Sequence, residues 1–371
     1  MKYLFLSSMV WNNYRGRNVE LPGGLSEAGN ECIYINPVKY KNWEKESLRL
    51  QNISSHSSGE VKVVERFTKL KKSVFSLLYE NMANVKAIRN NKPDVVVSFD
   101  HLMSLFACIY CKLKRIPFVF DIIDDWGEVE KNKLVRFYYK RIVKPIIGKL
   151  SYAITSTSHR QTEEFRRHNK RVFFIPNGKP LGFIKKMGAI SEAKSNVVNF
   201  VSTLRDWYDF DLLFEVFKEF PQLQLNIYGQ GELFNDLKKK SEGYSNVHLM
   251  GNADSEILPK LLSESLFGIL PLKLNKLNDS TCPIKLFDYW SAKKPVIGSP
   301  TIELKKMSED GGIILVATKE EYVSAISKLL ADKNLMDSYG EKGYKRMLAA
   351  YNYDVITKQF TQALALEKIK L

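Results

Sequence analysis

The sequence has few of the residues that point to metal or disulfide chemistry. Among its 371 residues it contains four cysteines and five histidines. The histidines show no metal-ligand spacing, so we expect no bound metal. Cys32, Cys108, Cys111 and Cys282 fit no disulfide framework. Cys108 and Cys111 form a C-x-x-C motif, but they lie in an apolar helical pattern, which favours two small core residues over a redox pair.

Long hydrophobic runs are also missing. The longest apolar stretch, residues 102–111, is interrupted by Ser104 and is far shorter than the roughly 20 residues that a membrane span needs. No small-residue cleavage site follows the short apolar start of the chain. Residues 3–9 are therefore expected to form a buried strand rather than a signal peptide, and we expect a cytoplasmic location.

Acidic residues are scarce only in the first half of the chain. The formal net charge is +15 at pH 7, and the whole excess lies in residues 1–185, because residues 186–371 are balanced. A basic half joined to a neutral half predicts an anionic partner, such as a lipid surface or a phosphate-bearing acceptor. No recognition helix, zinc finger or aromatic ribonucleoprotein pattern supports nucleic acid as that partner.

Short apolar segments alternate with longer amphipathic ones along most of the chain, which indicates parallel sheets covered by helices on both faces. The alternation stops over residues 179–194 and then restarts. We therefore predict an α/β fold with two doubly wound domains facing across a cleft, at residues 1–185 and 186–351. Ligands are expected at the carboxyl ends of the strands that line the cleft. The last segment, residues 352–371, is expected to be a helix that packs back on the first domain.

The segment 278–299 carries the strongest local signal. A polar loop meets Pro283, which suits the first turn of a helix because proline lacks the N–H that would be unpaired there. Lys285 lies in the first turn and Asp288 one turn later. Such a helix start can hold a ribose-linked diphosphate, with the amides and the lysine facing the phosphates and the carboxylate facing the sugar hydroxyls. The alternative is an ordinary surface helix with a solvated lysine and aspartate.

The pattern Pro-x-Lys-Leu-Phe-Asp-Tyr-Trp-Ser-Ala-x-x-Pro-Val-Ile resembles a segment of the GT-B glycosyltransferases, most closely their bacterial polysaccharide-assembly branch. Three other matches occur in the expected order, at residues 118–126, 175–178 and 228–231. The resemblance implies an N-terminal acceptor-binding domain and a C-terminal domain that binds a nucleotide-sugar. It also implies a UDP-sugar or GDP-sugar as co-substrate, with neither a cofactor nor a metal.

The resemblance also implies roles for residues of the second domain. Lys285 would bind the donor diphosphate and Asp288 the ribose, although Asp288 stands where the family usually has the longer glutamate. Arg205 would be a phosphate ligand, or else a solvated loop cation, and Gly229 would contact the donor, or else only form a tight turn. The remaining expected donor contacts are Thr281, Cys282, Pro283 and Ile284.

In the first domain, Asp124 and Asp125 are the preferred acid/base candidates, because two adjacent carboxylates end a buried strand and an acceptor hydroxyl must lose a proton. Their adjacency resembles a metal-binding Asp-x-Asp of another transferase fold, which the two strand–helix series argue against. His101 is a further catalytic candidate. The expected acceptor or donor-sugar contacts are Gly16, Arg15, Arg17 and Asp100.

The expected function is transfer of a sugar from a nucleotide diphosphate donor to a growing, lipid-linked surface polysaccharide at the inner face of the cell membrane. Two alternatives stay open. One is a nucleotide-sugar 2-epimerase of the same fold. The other is a non-catalytic protein with two lobes around a sugar or nucleotide.

Overall fold

The computed structural model describes residues 1–9, 11, 16–39, 60–68, 74–190, 196–253 and 256–365. It divides the chain into two compact units: an N-terminal unit of Met1–Asn177 and Tyr353–Leu371, and a C-terminal unit of Gly178–Asn352. The boundary thus comes earlier than the predicted residue 185. The reason is a helix, Leu181–Ala189, in the stretch that was expected to be a break; its Ile184 and Met187 are buried in the core of the C-terminal unit.

The described part of the N-terminal unit alternates strands and helices. In chain order the elements are β1 (Lys2–Leu6), α1 (Arg17–Glu27), β2 (Glu31–Lys39), β3 (Val61–Thr68), α2 (Val74–Asn91), β4 (Val95–Ser98), α3 (Leu105–Lys114), β5 (Phe118–Ile122), α4 (Trp126–Val129), α5 (Lys133–Tyr138), a π-helical turn (Tyr139–Val143), α6 (Lys144–Leu150), β6 (Ala153–Ser156), α7 (His159–Arg166) and β7 (Val172–Phe174). The chain returns to this unit with α16 (Tyr353–Leu364).

The strands of the N-terminal unit form one parallel sheet. Its described strands number seven, in the order β3-β2-β1-β4-β5-β6-β7. β1 pairs with β2 and β4 in parallel register, for example Leu4 with Ile33 and with Val96. These three residues are fully or almost fully buried, as expected for a parallel strand covered on both faces. The predicted near-continuous apolar strands are therefore present.

Helix α16 covers one face of this sheet together with α1. Its Ile356, Phe360 and Leu364 recur every fourth residue and are completely buried, which places them on one helix face. They share a hydrophobic cluster with Leu21 of α1. The two helices lie close together, because a Cβ added at Gly24 would lie 2.3 Å from the Thr357 hydroxyl oxygen.

The described part of the C-terminal unit repeats the same alternation. Its elements are α8 (Leu181–Ala189), β8 (Val197–Val201), α9 (Phe210–Lys218), β9 (Gln224–Tyr228), α10 (Phe234–Ser241), β10 (Val247–Gly251), α11 (Leu258–Glu264), β11 (Gly268–Leu270), a 3-10 turn (Asn278–Ser280), α12 (Ile284–Ser291), β12 (Val296–Gly298), α13 (Ile302–Ser308), β13 (Ile313–Leu315), α14 (Lys319–Ala331) and α15 (Lys333–Ala349).

These strands form two described three-stranded parallel sheets, in the orders β10-β9-β8 and β11-β12-β13. A backbone hydrogen bond connects the segment before β11 with the start of β8: the Leu266 N–H donates to the Val197 carbonyl oxygen at 2.8 Å. One hydrophobic cluster extends through the unit, with Phe214, Trp290 and Ile326 completely buried in it. The carboxyl ends of β8 and β9 lead directly into the residues of the candidate site.

Candidate active site

Helix α12 is anchored in the core of the C-terminal unit by its buried side chains. Leu286, Phe287 and Trp290 are completely buried, and the Trp290 indole N–H donates to the Gly312 carbonyl oxygen at 3.0 Å. Pro283 is the N-cap residue rather than a residue of the first turn, and no side chain caps the helix. The first amides of α12 therefore keep the partial positive charge of a helix start.

Asp288 lies one turn into α12, and its carboxylate contacts two lysines. Its side chain is 1% exposed. One carboxylate oxygen lies 2.5 Å from Lys179 Nζ, and the other lies 3.2 Å from Lys285 Nζ. The lysine side chains keep 13% and 29% of their surface exposed. The predicted Lys285 thus sits at the helix start together with a second cation, Lys179, which the sequence motif did not indicate.

The charges of this group stabilise one another. Burial alone would raise the pKa of Asp288, but the Lys179 and Lys285 ammonium groups outweigh it and lower that pKa below its ordinary value. Burial alone would lower the pKa of Lys285, but Asp288 outweighs it and the pKa rises. Asp288 and Lys285 are therefore ionised at neutral pH, and two lysines with one aspartate give this group a formal charge of one positive unit.

Two turns lie beside the strand ends of this unit. Gly229 has φ of 140°, and a Cβ there would lie 1.8 Å from the Ser202 carbonyl oxygen. This gives Gly229 a steric reason to be glycine, namely the tight turn after β9. Arg205 is exposed after β8, with its guanidinium carbon 5.3 Å from the centroid of the Trp207 ring. A role of either residue in donor binding stays a prediction.

The other predicted donor contacts form the loop into α12. The Thr281 hydroxyl donates to the Leu277 carbonyl oxygen at 2.9 Å, and the Cys282 side chain is buried. Ile284 is the first residue of the helix. The structure thus brings Thr281, Cys282, Pro283 and Ile284 to the start of the helix that carries Lys285, and their contact with a donor stays a prediction.

Arg17 was expected to contact an anionic acceptor, and the structure shows that this is wrong. Its side chain is fully buried. Two of its nitrogens donate to the two carboxylate oxygens of Asp121 at 2.7 and 3.0 Å, and a third donates to the carbonyl oxygens of Ile175 and Pro176 at 3.1 and 2.8 Å. Arg17 therefore connects α1 to β5 and to Ile175 and Pro176, just before the chain leaves this unit at Asn177.

His101 was expected to act in catalysis, and its surroundings contradict an acid/base role. The ring is buried, and its Nδ1 lies 2.7 Å from the Tyr139 hydroxyl oxygen. Burial, with a smaller effect of Lys144, lowers the pKa of His101 to about 3. A proton acceptor works best with a pKa near the working pH. His101 is instead a neutral packing residue, with its ring beside that of Trp126.

Asp124 and Asp125 end β5 in different environments. The Asp124 side chain is exposed, whereas Asp125 is buried as the N-cap residue of α4. Burial raises the pKa of Asp125, and the nearby Lys144 opposes that rise. Burial of the carboxyl group and the neighbouring Asp125 also raise the pKa of Asp124. Asp124 has the larger exposed fraction of the two residues, so it remains the better acid/base candidate.

Asp100 is buried at the carboxyl end of β4. Within the described part of the chain, its Oδ2 has no hydrogen-bond partner. Burial raises the pKa of Asp100 to about 6, although Arg66 acts in the opposite direction. Gly16 is the N-cap residue of α1 in an extended conformation, and Arg15 lies outside the described residues. Acceptor contacts by these residues stay predictions.

The chain matches known proteins over its second half most clearly. A family model described as "Glycosyl transferase-like" matches residues 205–362. An exopolysaccharide phosphotransferase of Streptomyces coelicolor is 23% identical over 225 residues, which are 59% of this chain and 23% of that protein. The poly(glycerol-phosphate) alpha-glucosyltransferase of Bacillus subtilis is 22% identical over 333 residues, 84% of this chain and 46% of that protein. The chain spans less than half the length of these two relatives.

Solved structures match over nearly the whole chain. The crystal structure of Anabaena HepE in complex with UDP has a TM-score of 0.73 and 13% sequence identity, covering 98% of this chain and 100% of that one. Similarity at this level of identity concerns the fold. It confirms the predicted GT-B architecture of two Rossmann-like domains. None of the described helices is both long and apolar enough to cross a bilayer.

Proposed function

From its GT-B fold and its glycosyltransferase-like domain, we propose that this protein transfers a sugar from a nucleoside-diphosphate-sugar to a growing surface polysaccharide. The observation that carries the proposal is the cationic group at the start of α12, where Lys179 and Lys285 lie over Asp288. A helix N-terminus and two ammonium groups suit a diphosphate, since both supply fixed positive charge to its oxygens.

The same charges suit the proposed reaction. The acceptor oxygen forms a bond to the anomeric carbon of the donor, and the bond from that carbon to the phosphate oxygen breaks. The nucleoside diphosphate leaves with the electron pair, and the lysines stabilise the negative charge that develops on it. The acceptor hydroxyl gives its proton to a carboxylate, for which exposed Asp124 is the proposed acceptor.

The test is release of nucleoside diphosphate. A thermal-shift screen of UDP and GDP first selects the nucleotide, because a ligand that binds only the native state raises its stability. The protein is then mixed with the corresponding nucleotide-sugars and with glycan acceptors, lipid-linked and free. We expect acceptor-dependent release that Asp124→Asn abolishes. Conversion of donor alone to an epimer would favour the epimerase, and binding without release would favour a non-catalytic protein.

The proposed acceptor is lipid-linked, and the protein is proposed to work as a peripheral protein on the cytoplasmic face of the membrane. One surface supports this. Leu134 and Phe137 on α5 are 80% and 61% exposed, and exposed Lys133 and Arg141 accompany them. On α3, exposed Leu113 lies between Lys112 and Lys114. Exposed apolar side chains among cations are typical of helices that lie in an anionic bilayer surface.

Vesicle sedimentation tests this surface. We expect binding to vesicles with 30% anionic lipid, little binding to neutral vesicles, and weaker binding at high salt. The double change Leu134→Ser and Phe137→Ser should reduce binding, whereas Leu330→Ser, an exposed leucine of α14, should not. Equal binding of both variants would remove this surface from the proposal.

A further inference from the structure

We propose that Asp288 positions two lysines rather than binding the donor ribose, and that Lys179 is a second cation for the donor diphosphate. This inference rests on the proposed function, because it assigns roles within the same donor site. It departs from the role that the sequence motif implies for Asp288.

The occupancy of the Asp288 oxygens is the first argument. Each oxygen has an ammonium group within ion-pair distance, and the carboxylate is 1% exposed. Oδ2 accepts a hydrogen bond from Lys285 at 3.2 Å, whereas Oδ1 lies 2.5 Å from Lys179 Nζ without hydrogen-bond geometry. A ribose hydroxyl would have to displace a lysine to reach either oxygen. The lysine side chains, by contrast, reach the surface. An approaching ligand therefore meets cations first.

The charge of the group is the second argument. One buried carboxylate compensates one of the two ammonium groups, so one positive charge remains for a ligand. A diphosphate is the anion that the proposed donor brings to this helix start. A ribose hydroxyl is neutral and gains little from surplus positive charge.

The rigidity of Lys179 is the third argument. Its backbone N–H donates to the Tyr351 carbonyl oxygen at 3.0 Å, and its backbone pairs with that of Asn352 in an isolated parallel β-bridge. Its ammonium nitrogen lies 5.5 Å from the centroid of the Phe183 ring. A lysine held at its backbone and along its side chain loses less entropy on binding than a free one.

The length of Asp288 is the fourth argument. Lys285 and Asp288 are three positions apart on α12 and therefore lie on the same helix face. The Cα–Cβ bonds of a helix tilt toward its N-terminus, so the carboxylate points back to the helix start. An aspartate reaches one methylene less far than the glutamate typical of the family, which keeps it beneath the lysines.

The role of Lys179 is tested with Lys179→Met and a matched control, Lys186→Met, which changes an exposed lysine of α8. Affinity for UDP is measured by calorimetry and affinity for uridine by ligand-observed NMR. We expect Lys179→Met to weaken UDP binding at least tenfold, about 1.4 kcal/mol, without changing uridine binding. Lys186→Met should change neither. A folded Lys179→Met protein that binds UDP like the wild type would overturn this role.

The role of Asp288 is tested with UDP, 2′-deoxy-UDP and 3′-deoxy-UDP on the wild type and Asp288→Asn. If Asp288 serves only the lysines, removing a ribose hydroxyl changes affinity by the same factor in both proteins. A hydroxyl dependence that is present in the wild type and lost in Asp288→Asn would overturn the inference. Should Asp288→Asn fail to fold, Asp288→Glu replaces it: the longer carboxylate should add a ribose-hydroxyl dependence that the wild type lacks, and a hydroxyl dependence of equal, measurable size in both proteins would overturn the inference.

The two proposals fail in different ways. Wild-type protein that binds neither UDP nor GDP would refute the proposed function itself. Wild-type protein that binds UDP, together with an unaffected Lys179→Met variant, would refute only the role of Lys179. If the wild type prefers GDP, the guanosine series replaces the uridine series in each experiment.

Discussion

Each unit contains a buried aspartate in an ion pair, and the two pairs differ in how exposed the cations are. In the N-terminal unit Asp121 is paired with Arg17, and both side chains are fully buried. In the C-terminal unit Asp288 is just as buried, but its lysine partners reach the surface. Burial of the carboxylate is thus the same in the two pairs, whereas exposure of the cationic partner differs.

The chemistry of the cations explains the difference. A guanidinium carries five donors in a fixed plane. Arg17 uses them on both oxygens of Asp121 and on two carbonyl oxygens, and Thr155 adds a bond of 2.7 Å to Asp121. An ammonium group carries three donors on a flexible stem and can turn toward an incoming anion. The first arrangement fixes α1 against an interior strand of the sheet, β5, and the second leaves ammonium groups partly exposed.

The largest expected effect is loss of stability in Arg17→Met. Removing the guanidinium leaves Asp121 buried without its ionic partner, which costs about 3–5 kcal/mol. Urea unfolding measures this loss. The matched control is Arg166→Met, which removes an exposed pair with Glu163 and should cost less than about 1 kcal/mol. Similar losses in the two variants would break the comparison, because the Asp121 pair would then not be structural.

An intermediate effect is expected for Lys285→Met, and it concerns binding rather than stability. A donor phosphate would lose a charge-assisted contact worth about 1.5–3 kcal/mol, roughly a 10- to 150-fold loss of affinity in calorimetry. Asp288 keeps Lys179 as a partner, so the unfolding free energy should change less than in Arg17→Met. Lys305→Met, an exposed lysine of α13, is the control. Unchanged donor affinity in Lys285→Met would remove this residue from the site.

A third expected effect, comparable in size to that of Lys285→Met, contrasts Asp100 with Asp288 and depends on pH. The pKa of Asp100 is raised from 3.8 to about 6, so between these values the folded protein binds more protons than the unfolded chain. The unfolding free energy should therefore fall as the pH rises through this window, by about 1.4 kcal/mol for each unit of pKa difference. The pKa of Asp288 is lowered, so its stabilisation is lost only as the pH falls below about 4.

Urea unfolding at several pH values checks this contrast. Asp100→Asn should flatten the fall between pH 4 and 6 relative to the wild type, since an amide does not titrate in that window. A fall of equal size in both proteins would show that other groups cause it and that Asp100 has an ordinary pKa.

Most of the fold could be predicted from the sequence, because near-continuous apolar strands and amphipathic helices are local patterns. The buried strand expected within residues 3–9, for example, is present as β1, Lys2–Leu6. Helix α8 was missed. Its segment Leu181–Ala189 contains two glycines and two adjacent lysines, which suggested a break, whereas the burial of Ile184 and Met187 stabilises it as a helix.

The site could be predicted only where the signal is local. Pro283, Lys285 and Asp288 lie within one motif, and the structure places them at one helix start. Arg17 was assigned wrongly because its partner Asp121 is 104 positions away along the chain, and a sequence pattern does not show such a contact. Lys179 was missed for the same reason, since 109 positions separate it from Asp288 along the chain.

The β-bridge between Lys179 and Asn352 has a consequence for engineering the domains of such a protein. These residues stand at the second and the last position of the C-terminal unit, so the chain enters and leaves that unit side by side. A segment whose ends meet in this way is easily inserted into, or exchanged within, a host domain. Residues 178–352 could therefore be exchanged as one segment through two neighbouring junctions.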